Sequence, residues 1–78
     1  MAVEYVGNCV VCQGIVPVEE AEGLLSWLQE NRNAVVDFEA CTHVHPANLQ
    51  VLLATGTKLS VLPSDQDLSM WISSVFGS

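Results

Sequence analysis

Four closely spaced side chains could together supply a zinc ligand set: Cys9 and Cys12, separated by Val10-Val11, and His43 and His45, separated by Val44. Two thiolates and two imidazoles form a common tetrahedral set. The spacing argues against that use. In an extended strand, residues three apart face opposite sides, so Cys9 and Cys12 converge only across a turn, and Val10-Val11 favour the strand. His43 and His45 share a parity if extended, but loop histidines are usually hydrogen-bonded or solvated. A thioredoxin-like role is also disfavoured, because its Cys-x-x-Cys belongs at a helix start, where the positive helix end lowers the thiol pKa. Asp37, Glu39, His43 and His45 form the one nearby polar cluster, and without an adjacent nucleophile in a defined elbow they support no reaction class. There is no glycine-rich phosphate loop. The expectation is a protein that is not an enzyme, with no catalytic residue, no metal and no cofactor.

Composition points the same way. Seventy-eight residues make one small domain, spanning 1–78, and half of them are hydrophobic. A chain of this size buries only about 60% of the surface its unfolded form exposes. The formal charge is −7, and Arg32 and Lys58 are the two strong cations. That deficit disfavours nucleic acid, whose phosphates need clustered Lys and Arg, and disfavours anionic membrane surfaces. It suits a protein partner with a basic patch. The three cysteines, Cys9, Cys12 and Cys41, are an odd number without framework spacing, which fits a reducing compartment. No apolar stretch approaches the roughly 20 residues of a membrane span, and the start lacks a basic leader region. A soluble, cytoplasmic protein is expected.

The elements that must position these residues follow from periodicity. Val3 to Val6 and Cys9 to Gln13 read as strands joined by Gly7-Asn8 in a tight hairpin. Pro17 opens a helix whose acidic start, Glu19, Glu20 and Glu22, complements the dipole, and Val18, Ala21, Leu24, Leu25 and Leu28 recur at helical spacing to about Asn31. In the next strand Ala34, Val36 and Phe38 face one way and Val35 and Asp37 the other. Pro46 opens a second helix with Leu49, Leu52 and Leu53 as its buried stripe, ended by Thr55-Gly56. Lys58 to Leu62 alternates as a fourth strand. Ser64 is the expected N-cap of a last helix whose inner face is Leu68, Trp71, Ile72 and Val75. Trp27 and Trp71 are read as core or boundary residues. The order β-β-α-β-α-β-α, with right-handed crossovers between parallel strands, gives an α/β two-layer domain. Its sheet is four-stranded and mostly parallel, with an N-terminal antiparallel hairpin. One sheet face is partly wet, at Asp37, Lys58 and Ser60, and Val61 is expected to be buried.

Nearly the whole chain resembles the STAS domain, the fold of the anti-sigma factor antagonists. The likeness rests on AVVDFEACTHVHPANLQVLLAT, residues 34–55, on Gln13-Gly14 followed by Val18 to Leu28, and on Lys58 to Leu62 followed by Pro63-Ser64. In that family a strand leads into an Asp-Ser-Ser-Gly-Leu loop opening a helix, where a kinase or anti-sigma factor docks until the Ser or Thr is phosphorylated. Here the matching residues are His45, Pro46, Ala47, Asn48 and Leu49, so both hydroxyl positions are gone. The resemblance implies a bacterial regulatory or partner-switching module that docks a protein partner through His45, Pro46, Ala47 and Asn48, without the phosphorylation switch. Two alternatives stand beside it. One is a cytoplasmic STAS accessory subunit of a lipid or anion transporter; the other is a small zinc- or thiol-dependent protein using Cys9, Cys12, His43 and His45.

Overall fold

The computed structural model describes residues 2–77. Strands β1 (Val3–Val6) and β2 (Cys9–Val16) form an antiparallel hairpin through Gly7-Asn8. A short 3-10 turn, Val18–Glu20, leads into α1 (Ala21–Glu30), followed by β3 (Val35–Val44), α2 (Pro46–Ala54), β4 (Lys58–Val61) and α3 (Gln66–Phe76). The sheet order is β1-β2-β3-β4, with β2, β3 and β4 parallel. The expected fold class is therefore the one observed: an α/β domain with an N-terminal antiparallel pair, a mostly parallel four-stranded sheet and three helices. No helix among the described residues is long and apolar enough to cross a membrane.

One sheet face carries the core. Val10, Cys12 and Val16 of β2 meet Val36, Phe38, Cys41 and Val44 of β3, and Leu24, Leu28, Leu49, Leu52, Leu68 and Ile72 close over them from the helices. Tyr5 of β1 stacks on Trp27 of α1 at 4.7 Å between ring centroids, and Phe38 meets Phe76 of α3 edge-on at 6.3 Å. Both contacts lie on the core side, so the outer helices share one face. Burying a side chain such as Phe38 or Ile72 completely is worth about 1.5–3 kcal/mol. The opposite face is open, and Val6 and Ile15 are 60% and 66% exposed.

The strands differ from the expected ones in length. β2 runs on to Val16 and β3 to Val44, so His43 belongs to a strand and not to a loop. β3 has ten residues against the eight of β2. Two register shifts absorb the difference, where Val11 and Gln13 face Asp37 and Ala40, and where Gly14 and Ile15 face Cys41 and His43. Each inserts one extra residue in β3 and reverses its facing, as a bulge does, which is why the buried positions step from Phe38 to Cys41 to Val44. Gly14 sits at the second shift with φ +62°, a region that L side chains seldom enter. Asp37 is half-buried and not simply solvated: its Oδ1 accepts from the Glu39 backbone N–H at 2.8 Å, occupying a donor at the bulge.

Other expectations are corrected. Leu53 is 46% exposed, because the buried side of α2 is Asn48, Leu49 and Leu52, with Leu53 and Val51 on its two flanks at 100° per residue. Val61 is half-buried at an edge strand, Leu25 is 36% exposed and Trp71 is 39% exposed. Val18 and the first glutamates form the 3-10 turn, and the α-helix begins only at Ala21. The cap of α3 is Asp65, whose carboxylate accepts from the Leu68 N–H at 2.9 Å, and not Ser64. Ser64 instead donates its backbone N–H to the Glu39 carbonyl at 3.2 Å, fastening the loop after β4 to the bulged part of β3. Gly56 ends α2 with φ +71°, the left-handed conformation expected of it.

Candidate functional site: the start of the second helix

β3 ends at Val44, paired with Val16, and the His45 N–H continues the ladder to the Val16 carbonyl at 2.9 Å. His45 then turns the chain into α2. Its backbone is extended, its carbonyl accepts from the Asn48 N–H at 2.9 Å, and its Nδ1 accepts from the Ala47 N–H at 3.0 Å. An accepting Nδ1 requires the neutral ring with its proton on Nε2. Pro46 at the first helical position has no N–H to leave unpaired. His45 therefore acts as a side-chain N-cap, a role more often filled by Ser, Thr, Asp or Asn.

Of the four residues assigned to docking, His45 and Pro46 are exposed and Ala47 is half-buried. Asn48 is 1% exposed and cannot touch a partner. Its Nδ2 donates to the Pro17 carbonyl at 2.9 Å, tying α2 to the end of β2, while its Oδ1 is buried without a hydrogen-bond partner. Asn48 is thus a structural tether and leaves the contact surface. The sequence carried a weak signal for this, since Asn48 lies on the same helical side as Leu49 and Leu52.

The cations lie at one end of the sheet. Glu19, Glu20 and Glu22 follow β2 and Asp65 and Asp67 follow β4 at the carboxyl ends, whereas Arg32 follows Glu30 at the end of α1 and Lys58 opens β4 at the amino ends. The exposed helix start therefore belongs to a cation-poor, acidic pole. Carboxyl ends of parallel strands are also the usual place for binding in open α/β sheets.

The zinc and thiol residues do not gather. Cys12 is buried in the core, Cys9 is half-buried on the other parity, His43 is exposed on β3, and His45 caps α2. Among the described residues no group of three His, Cys, Asp or Glu is placed to hold a metal. Burial pushes the Cys12 thiol up to about 12, with Cys41 and Asp37 adding smaller repulsions. Burial also raises Cys41, partly offset by a hydrogen bond with the His43 backbone, and Cys9 is raised by burial and by Asp37. Such thiols are weak nucleophiles near neutrality. The helix start offers no hydroxyl at Pro46 or Ala47, and the nearest upstream one is Thr42, exposed on β3.

No protein-family model and no curated protein matches the chain. A solved structure titled "Crystal Structure Analysis of Mglu" is similar to it at 22% identity and a TM-score of 0.45, over 83% of this chain and 19% of that one. The chain thus spans about a fifth of the length of that structure's chain.

Proposed function

We propose that this protein is a non-enzymatic, STAS-like interaction module of a bacterial regulatory complex, docking a partner constitutively through the start of α2. The observation that carries this reading is the hydroxyl-free helix start, with His45 and Pro46 exposed and Ala47 half-buried, at the end of the sheet whose acidic rim is Glu19, Glu22, Asp65 and Asp67. The turn is held from both sides, by the His45 cap and by the Asn48 bond to Pro17. A surface fixed in advance loses little freedom on binding. The acidic rim selects a partner with a basic patch and speeds its approach, an effect that salt screens. Pro46 and Ala47 have no hydroxyl, so neither can accept the phosphate whose charge would drive dissociation.

The test compares partner capture from lysate by the wild-type protein, an Ala47→Lys variant and a Glu19→Lys, Glu22→Lys variant. A genuine partner is retained by the first, lost by the second and weakened in the third. Its retention should also fall as ionic strength rises past about 0.1 M, where the screening length is about 10 Å. A partner held equally by all three proteins at every salt concentration would place docking elsewhere. Phosphate on Thr42 accompanied by release would show that the switch had moved.

A further inference from the structure

The two strong cations of this acidic chain line one small pocket. Arg32 and Lys58, with Asn33, Ala34 and Gly56, enclose about 120 Å³ at the amino ends of β3 and β4, the pole opposite the helix start discussed above. Neither cation is paired with a carboxylate among the described residues, although the chain has nine of them. The ordinary role of a cation just past a helix is to bond the last carbonyls. Here several of those carbonyls already have other partners. Trp27 and Leu28 of α1 accept from the Asn31 side chain and backbone. In α2, Val51 and Leu52 accept from the Thr55 hydroxyl, and Leu52 and Leu53 accept from the Thr57 and Gly56 N–H groups. Two exposed cations thus border one site, and neither has a carboxylate partner among the described residues.

A larger groove adjoins the pocket. Gly56 and Lys58 also line a depression of about 370 Å³ whose apolar wall is Leu53, Leu59 and Phe76. This is the groove that keeps Leu53 half in solvent between α2 and α3. A volume of that order lies within the range of small-molecule sites, which combine apolar walls with a few placed polar groups.

We infer that this end of the sheet binds a small organic anion, an oxyanion head between Arg32 and Lys58 joined to an apolar body lying along Leu53, Leu59 and Phe76. The charges supply orientation and the groove supplies burial, so neither half of the ligand suffices alone. The test is an NMR titration of the full chain at low ionic strength with octanoate, octyl phosphate, 1-octanol and inorganic phosphate. At least one of the two amphiphilic anions saturates, moving the amides of Gly56, Lys58, Leu59 and Phe76, and the tighter of the two identifies the head as carboxylate or phosphate. The alcohol and inorganic phosphate bind at least about tenfold more weakly, as loss of about 1.4 kcal/mol requires. Arg32→Gln and Lys58→Gln each weaken binding about fivefold, as expected for a screened surface charge, and leave the thermal midpoint unchanged. Failure of both anions to saturate, equal binding of 1-octanol, or unaltered affinity in both the Arg32→Gln and Lys58→Gln variants would overturn the assignment.

Discussion

Asn48 separates a buried tether from a surface contact, and replacing it by Ala and by Asp tests which it is. The amide is 1% exposed, gives one hydrogen bond to the Pro17 carbonyl and carries one unpaired oxygen. In Asn48→Ala the lost bond costs about 0.5–1.5 kcal/mol. The space left by the amide costs about 1 kcal/mol more. Release of the orphaned Oδ1 returns about 1 kcal/mol, so the net loss is about 1 kcal/mol. Asn48→Asp is worse at neutral pH, because an ionised carboxylate has no proton to give Pro17 and leaves a buried charge uncompensated, at about 3–5 kcal/mol. A domain of this size has only about 4–12 kcal/mol in total. The introduced carboxyl also carries a pH signature. Burial raises its pKa in the folded state above the unfolded value of about 3.9, so its penalty is absent below that value and grows as pH rises through the folded pKa. Thermal unfolding followed by circular dichroism, with the wild type measured at each pH, should show Asn48→Ala lower by about 4–8 °C and Asn48→Asp by more than about 12 °C at pH 7. The second gap should narrow by more than half near pH 3.5. A gap below about 2 °C that does not change with pH would refute the tether.

Leu52→Ala should cost about 2–5 kcal/mol, as for a fully buried leucine, and Leu53→Ala no more than about 1 kcal/mol, since its side chain already faces the groove; chemical denaturation of the two variants checks this, and equal costs would contradict the orientation of α2. Raised thiols make a prediction at alkaline pH. Cys12 binds its proton more tightly folded than unfolded, so its contribution to stability is complete below an ordinary thiol value of about 9 and is lost as pH rises toward about 12. Urea midpoints should fall over that window for the wild type and fall less for Cys12→Ala relative to its own value at pH 7.

Element order, the β1–β2 hairpin, the parallel direction of the later strands and the start of the second helix were legible in the sequence, because alternation in strands, the Gly7-Asn8 turn, Pro46 and Gly56 are local signals set by backbone geometry. Val36, Phe38 and Leu52 could be assigned to the core from periodicity alone. Where the residues around them were apolar on every side, periodicity had nothing to distinguish. In α2 the run Val51-Leu52-Leu53 leaves the buried side to be chosen by where β2 and Pro17 stand, and that choice buries Asn48 and exposes Leu53. The bulges of β3 were equally hidden, since an extra residue is defined by what lies across the ladder and not by its own type. Arg32 and Lys58, twenty-six positions apart in sequence, become neighbours only because two parallel strands begin at the same end of the sheet. Local chemistry decides where a strand or helix begins; which of its sides is buried, and which distant charges meet, depends on the surfaces brought against it by the rest of the chain.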